Sequence, residues 1–400
     1  MSEPTTSRNR LPRQPFIGLA LSGGGARAMA FHLGCLRALH DRGLLAKVKV
    51  LSTVSGGSVI GACYAYSADD FVAFDAKVIA LLRRGLQRSI VKEALLSPEL
   101  VKIILTLIIS GIPTAVLWSG VSLLSLVRIL TGVSTRRIEQ RLMAVYQSLP
   151  VWGSLTTAFE KALSRLFGSK TVREVSRDGL HVVINACDLR TGTAFRFGSK
   201  RSGGWRYGVI VGAIPTVAKA VAASAAFPIL LPPLIESFEF VKGGSTRSQT
   251  VALTDGGVFD NLGVSVLEPG RDAEFTDTYP VTHIISFNAG PGQLEGGDRP
   301  FWWGGRVSKS FEVVHRKSQD HVYSRLHRYV ESGELAGFGM VYLGQQDGRL
   351  PHRPVDLVTR EDVRQYPTDF APMSESDLGL LTKRGEQLTQ IILDRYLPQL

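Results

Sequence analysis

Two junctions near the start of the chain each run from an apolar strand through glycines into a helix, and they constrain the fold more than any other feature. The first passes through FIGLALSGGG, residues 16–25, into the helical pattern of RAMAFHLGCLRALHDRGLL. The second passes through VKVLSTV, residues 48–54, into Ser55-Gly56-Gly57 and a helix of small apolar residues. Strands that alternate with helices in this way are typical of α/β proteins, so we expect a mostly parallel central sheet with helices on both faces.

The rest of the chain continues this alternation without an internal repeat or a low-complexity segment. Further strands are expected at residues 181–189, 251–255 and 282–288, and an edge strand is expected at 337–344. Apolar residues at helical spacing predict long helices over residues 71–96, 306–330 and 375–396.

Composition and charge limit the compartment and the partners. The chain has 400 residues, of which 44% are hydrophobic, enough for a large core. Its three cysteines are odd in number and lack metal-ligand spacing, which predicts a cytoplasmic location and no metal site. The polar first fifteen residues predict no secretory signal. A net charge of +11 without an arginine-and-aromatic motif favours an anionic membrane surface and no nucleic acid.

Ser55 lies where the second strand gives way to a helix. A sharp turn of this kind presents the nucleophile of some hydrolases, because the glycines beside it tolerate unusual backbone angles. Small residues are also common in tight turns that only connect secondary-structure elements. This stretch alone leaves both interpretations open.

The glycine loop formed by Gly23, Gly24 and Gly25 can bind an anion, because N–H groups converge at a helix N-terminus. Together with Ala28 it fits a dinucleotide fingerprint, which also requires an acidic residue at the end of the second strand. That strand ends without one, and Asp41 comes earlier in the chain. The alternative is an oxyanion hole for acyl transfer, which needs rigid donors near a nucleophile. Adjacent first and second strands would place this loop beside Ser55, so the oxyanion hole is favoured.

A histidine is the usual base for a serine nucleophile, but no histidine follows a suitable loop. His283 gives the chain order Ser, Asp, His of the α/β-hydrolases, yet it opens its strand. Catalytic groups of open parallel sheets gather beyond the carboxyl ends of strands, which makes His283 a weak alternative. His315, His321 and His327 fall in one helical pattern, where a solvated face is the expected location.

Asp255 is better placed as the base. It ends the strand VALTD and precedes Gly256 and Gly257, so its position matches that of Ser55. An Asp-Gly turn would explain the residue by itself. A dry site can raise the pKa of a carboxyl enough for it to accept a serine proton. In combination with Ser55 and the three glycines, a Ser–Asp dyad is the favoured interpretation.

Four ordered motifs resemble the patatin-like phospholipases over roughly residues 16–265: LSGGGARAMAFHLGCLRAL, STVSGGSVIGA, AASAAFPILLPP and LTDGGVFDNLGV. The resemblance implies a three-layer patatin-like α/β fold, and it implies a lipid acyl hydrolase of the phospholipase A or lysophospholipase type. It further implies an acyl-enzyme on Ser55, with Asp255 as dyad partner and neither histidine nor cofactor. Gly23, Gly24 and Gly25 would form the oxyanion hole, with Arg27 and Gly57 in support. Two departures are Thr53 at the first glycine of G-x-S-x-G and Ala28 at the last glycine of the loop motif.

Residues 103–127 carry no charge and by length could span a bilayer. Gly111 and Pro113 are expected to break the segment near its middle, and Lys102 and Arg128 flank both ends. A single crossing would also separate Ser55 from Asp255. We therefore expect a helical hairpin or lid at about residues 98–131 that dips into lipid. A buried pair of core helices and a true span are the alternatives.

The predicted organisation is a flexible basic tail over residues 1–14, a catalytic domain over 15–268 and an α/β extension over 269–400 packed on the same core. The predicted protein is cytoplasmic and peripherally associated with membranes, and its substrate is a phospholipid or another acyl-ester lipid. The alternative class is a catalytically inactive, membrane-binding relative that uses the apolar segment and the positive charge.

Overall fold

The computed structural model describes residues 15–228, 230–270, 279, 281–293, 296 and 301–400, and the predicted tail over 1–14 lies outside them. The strands of this described part are β1 (Ile17–Leu21), β2 (Val48–Val54), β3 (His181–Asp188), β4 (Thr193–Gly198), β5 (Ser202–Gly204), β6 (Gly208–Val211), β7 (Leu234–Lys242), β8 (Ser245–Asp255), β9 (His283–Asn288) and β10 (Gly337–Tyr342). They form one sheet with the order β10-β9-β1-β2-β3-β4-β5-β6-β7-β8.

Only one half of this sheet is parallel. Strands β10, β9, β1, β2 and β3 pair in parallel, whereas every pairing from β3 through β8 is antiparallel. β8 also returns to pair with the end of β3, so the antiparallel strands close into a ring. The expectation of a mostly parallel sheet is therefore correct for half of the strands. Short connections join β3 to β6, a longer one that contains α9 joins β6 to β7, and Gly243-Gly244, both at positive φ, form the tight turn between β7 and β8.

Helices cover both faces of the sheet. They are α1 (Gly25–Asp41), α2 (Gly56–Ala65), α3 (Phe71–Arg84), α4 (Gln87–Leu96), α5 (Glu99–Thr106), α6 (Ile112–Thr131), α7 (Arg136–Ser148), α8 (Leu155–Phe167), α9 (Val217–Ser224), α10 (Gly257–Asp260), α11 (Trp303–Glu331), α12 (Arg360–Val363) and α13 (Glu375–Tyr396). Because side chains alternate along a strand, Leu19 packs in the core beneath α1, and its neighbour Ala20 packs in the core that includes Leu326 of α11. The α/β fold with helices on both faces is confirmed.

The C-terminal segment adds strands and a helix to the same body. β9 lies beside β1, β10 is the edge strand, and α13 packs along α1. Arg384 of α13 is fully buried and donates hydrogen bonds to the backbone carbonyls of Leu343, Gln345 and Val358. The predicted boundary near residue 268 therefore falls between strands of one sheet.

The apolar segment is a single long helix and is not broken at Pro113. α5 and α6 are joined through a π-helical turn, Leu107–Gly111, in which the Ile112 N–H bonds to the Leu107 carbonyl. Such a turn absorbs the hydrogen bond that proline cannot make. The chain reverses only after Gly132, at a left-handed φ of 72°, and α7 then returns along α6. The predicted hairpin within residues 98–131 is therefore wrong, and a different hairpin is formed by α6 and α7.

This helix lies on the outside of the protein. Among the described residues, 99–131 is one helix long and apolar enough to cross a membrane by length and composition, and 6% of its most apolar window is buried. α6 contains no buried residue in the described part of the chain. The alternative of a buried core pair is therefore wrong.

Candidate active site

Ser55 occupies the elbow between β2 and α2 in a strained backbone conformation. Its φ of 53° is positive, and it is the single non-glycine residue with positive φ in the part of the chain that the structure describes. Such backbone strain persists only where the surroundings enforce it, and it is concentrated at functional sites. The glycines that follow explain how the turn is possible: a Cβ on Gly56 would lie 2.2 Å from the Gly25 carbonyl oxygen.

β3 brings Asp255 to Ser55. Val54, immediately before Ser55, pairs with Asn185, and Asp255 pairs with the next residue of β3, Ala186. The Ser55 side chain is close enough to the Asp255 carboxylate to lower its pKa, and the Gly257 N–H donates to Oδ1 of the same carboxylate at 2.7 Å. Residues 200 positions apart in the sequence thus share one site because two neighbouring positions of one strand align them.

The Asp255 carboxyl is 3% exposed, and burial raises its pKa from 3.8 to about 6. The contacts with Ser55 and Gly257 act in the opposite direction because they favour the ionised form. Desolvation is the larger effect. A carboxyl with a pKa near neutrality is a much better proton acceptor than one at its ordinary value.

A buried polar network fixes the elbow from behind. The Ser55 N–H donates to the hydroxyl of Ser224 at 3.0 Å, and that hydroxyl donates to the Asn185 carbonyl at 2.6 Å. Ser58 Oγ lies 2.8 Å from Ser224 Oγ and donates to Thr53 Oγ1 at 3.0 Å. Thr53, the departure from the family motif, is therefore part of this network. Neither Ser224 nor Ser58 was predicted to contribute, although both stand within the four ordered motifs.

The glycine loop follows β1 directly beside Ser55. A Cβ on Gly23 would lie 3.1 Å from the Ser55 Cβ, and Gly25 adopts a left-handed φ of 58°. The Gly23 N–H already donates to the Asn261 carbonyl at 3.2 Å. This N–H is therefore already engaged, which does not fit the predicted role of Gly23 as a hydrogen-bond donor to the oxyanion. Within the described ranges, the N–H groups of Gly24 and Gly25 donate no hydrogen bond.

The peptide between Ser22 and Gly23 is held at both of its polar groups. Its carbonyl oxygen lies 3.0 Å from Nε2 of His32, and its N–H binds Asn261. Complete burial lowers the pKa of His32 to about 4, so the ring is neutral at physiological pH and donates through Nε2. Neither His32 nor Asn261 was predicted to support the site, because the elements that carry them meet the loop only in the folded chain.

Arg27 and Gly57 support the site through packing. The Arg27 guanidinium is buried and donates to the Ala289 carbonyl at 3.0 Å and the Tyr366 carbonyl at 2.7 Å. It thereby ties the glycine loop to the segments after β9 and before α13. Gly57 allows α2 to approach β1, since a Cβ there would lie 2.5 Å from the Leu21 carbonyl oxygen.

Of the four histidines considered in the sequence, His315 is the one whose location differs from the prediction. His283 pairs with Ile17 at the first residue of β1, the end opposite the glycine loop, and its Nδ1 lies 2.9 Å from the Thr282 hydroxyl. His321 and His327 are exposed, as expected. His315 is half-buried and hydrogen-bonds to the backbone of Gly257, so the solvated-face expectation is wrong for this residue.

The segment that contains these site residues matches the sequence model of a known protein family. The sequence model described as Patatin-like phospholipase matches residues 19–267, which is more than half of the chain. The chain therefore belongs to the patatin-like phospholipase family. A patatin-like phospholipase domain-containing protein of Caenorhabditis elegans is 50% identical over 56 residues, which are 14% of this chain and 4% of that protein.

The fold is shared with a solved phospholipase structure. The human GIVD cytosolic phospholipase A2 superposes with a TM-score of 0.51 at 14% identity, over 94% of this chain and 61% of that chain. VipD from Legionella pneumophila gives a TM-score of 0.39 at 15% identity, over 96% of this chain and 67% of that chain. The chain thus spans a small part of the worm protein and about three fifths of the human enzyme.

Proposed function

We propose that this protein is a serine acyl hydrolase that cleaves carboxyl esters of membrane lipids through a Ser55–Asp255 dyad. One observation carries the proposal: strand pairing brings a serine in a strained elbow beside a buried carboxyl, whose pKa burial raises. Membership of the patatin-like phospholipase family supports the class of substrate.

In the first half-reaction Asp255 accepts the Ser55 proton while Oγ attacks the ester carbonyl carbon. The carbonyl electron pair moves to oxygen, and the N–H groups of Gly24 and Gly25 stabilise the charge. Collapse of this intermediate expels the lipid alcohol, which takes the proton from Asp255 and leaves the acyl group on Ser55. Asp255 next deprotonates a water molecule that attacks the acyl-enzyme. The fatty acid departs and the proton returns to Ser55.

We further propose that the protein reaches its substrate by peripheral attachment through α5, α6 and α7. The supporting observation is the exposed apolar surface of this hairpin, where Ile108 and Ile112 are 56% and 62% exposed. Trp118 of α6 packs edge-on against Tyr146 of α7 and is still 49% exposed. Apolar insertion and attraction between the basic chain and anionic lipids would act together.

A fluorophosphonate probe tests the nucleophile. The probe should label the parent protein, and Ser55→Ala should abolish both labelling and hydrolysis of a short soluble ester. Ser164→Ala is the control and should leave both intact, because the Ser164 hydroxyl donates to the Lys161 carbonyl of its own helix, α8. A parent that binds vesicles without reacting would identify an inactive membrane-binding relative. Labelling that persists in Ser55→Ala would overturn the dyad.

A further inference from the structure

The first half of α11 carries an exposed apolar surface that is separate from the hairpin. Trp302 and Trp303 are each 77% exposed, Val307 is 61% exposed and Val314 is 68% exposed. Trp303, Val307 and Val314 follow one another at helical spacing, so they lie on one face of α11. We call the surface formed by Trp302, Trp303, Val307 and Val314 the α11 patch.

The charges around the α11 patch are positive. Arg306 and Lys317 are exposed and flank the same face, and within the described residues neither has an ion-pair partner. Glu312 is the acidic residue of this half of the helix, and Lys309 pairs with it at 3.1 Å. Exposed tryptophans beside unpaired basic residues are typical of segments that lie at the interface between lipid headgroups and acyl chains.

The α11 patch also borders the proposed active site. A cleft of about 130 Å³ separates α11 from α10, and Val314 and His315 line it together with residues 257–262. Residue 257 is the glycine whose N–H holds the Asp255 carboxylate, and His315 hydrogen-bonds to its backbone. The patch is therefore the lip of a cleft whose other wall is the loop that carries the dyad carboxylate.

We propose that the α11 patch docks on an anionic lipid bilayer as a second contact and brings the cleft beside Asp255 to the lipid surface. The inference rests on the proposed function, because a lipid substrate must reach Ser55 from a membrane. It differs from attachment through the hairpin, since it assigns a membrane contact to the element that packs against the Asp255 loop.

A fluorescent label that responds to polarity tests the contact without disturbing the patch. Val307→Cys, coupled to such a label, should show a blue shift and about a twofold or greater gain in intensity with vesicles of phosphatidylglycerol and phosphatidylcholine. The control is Val355→Cys, because Val355 is fully exposed on the loop before α12, outside the α11 patch. Cys35 and Cys187 are buried and should remain unlabelled, and the partly exposed Cys63 is replaced by alanine in both proteins so that the label reports the introduced thiol. A label at Val307 that stays in water would overturn the inference.

A second measurement uses the tryptophans. Trp302→Ala combined with Trp303→Ala should weaken vesicle partitioning by about tenfold or more, since two large apolar side chains would no longer be buried in lipid. Trp205→Ala, which removes a 42% exposed tryptophan from the antiparallel ring, is the matched control and should change partitioning little. Unchanged partitioning of the double variant would contradict the inference.

The outcomes separate this inference from the proposed function and from other occupants. If the patch covers a second copy of this chain, the Val307 label will respond to protein concentration without vesicles, and the lipid assignment is wrong. If the parent hydrolyses no soluble ester but the Val307 label enters lipid, the proposed function fails and the docking surface stands. If the parent hydrolyses the ester but the label does not enter lipid, the proposed function stands and the docking surface is wrong.

Discussion

Replacement of Asp255 by asparagine should abolish activity and at the same time make the stability of the protein depend less on pH. Asparagine keeps the shape of the side chain, and its carbonyl oxygen can still accept the Gly257 N–H that now binds Oδ1. The amide cannot accept a proton from Ser55. Loss of a general base lowers turnover by about 10²–10⁴-fold.

The stability effect follows from the raised pKa. Burial moves the pKa of Asp255 from 3.8 to about 6, so the folded state holds this proton more tightly than the unfolded state does. The ionised carboxyl therefore opposes folding above about pH 6, and this cost disappears below about pH 4. A shift of this size corresponds to about 3 kcal/mol. Stability of the parent should fall through this window as pH rises, relative to Asp255→Asn.

Thermal unfolding of both proteins between about pH 4 and pH 8 measures the effect. For a chain of this length, 3 kcal/mol corresponds to a Tm difference of about 3–4 °C. The Tm of Asp255→Asn minus that of the parent should grow by this amount toward high pH. A pH-independent cost of the substitution cancels in this comparison. A difference that stays constant across the range would refute the raised pKa and with it the argument for Asp255 as base.

Ser55→Ala provides a control of opposite sign. It is equally inactive but retains the buried carboxyl, and it removes the hydroxyl that lowers the pKa of Asp255. Its Tm relative to the parent should therefore decline toward high pH. If both variants behave alike, the stability differences arise from the loss of hydrogen bonds and not from ionisation.

Three further variants test the parts around the dyad. His283→Ala should retain most of its turnover on a soluble ester, because His283 begins β9 at the end of the sheet opposite the glycine loop. A loss as deep as that of Asp255→Asn would contradict the dyad. Gly25→Ala should lower both Tm and turnover, the latter by about 10²-fold, because its Cβ would lie 2.3 Å from the Asp369 carbonyl oxygen; full turnover would exclude the loop as oxyanion hole. Ile108→Asn with Trp118→Asn should stay folded, since both side chains are about half exposed, but should sediment less with anionic vesicles; unchanged sedimentation would exclude the hairpin as a membrane contact.

The sequence was sufficient to predict the elements that carry the two residues of the proposed dyad. Ser55 and Asp255 each end a strand and precede glycines, and these local signals determine both the elbow and the edge of the sheet where they stand. The antiparallel ring was missed because β5 and β6 are short and β7 and β8 are partly exposed over much of their length, although the Gly243-Gly244 turn was a usable signal.

Other features depend on contacts that no local pattern contains. His32 and Asn261 meet at the Ser22–Gly23 peptide from α1 and from the end of α10, so only the tertiary structure relates them. The unbroken helix over 99–131 was mispredicted for a different reason. Proline usually ends or kinks a helix because it lacks an N–H. Here the π-helical turn Leu107–Gly111, just before Pro113, absorbs the missing hydrogen bond.

The change of pairing partner along β3, from β2 to β8, has a consequence for the assembly of the site during folding. β2 pairs with the first part of this strand and β8 pairs with its end, so the dyad depends on two separate strand additions. Both additions join residues far apart in the chain, Val54 with Asn185 and Ala186 with Asp255, so both must await closure of long loops, which slows their formation. A slip of β8 by one residue would also turn Asp255 to the other face of the sheet. A partly folded chain can therefore have a correct Ser55 elbow and still lack the carboxylate of the proposed dyad, so the proposed site is complete only when both pairings have formed.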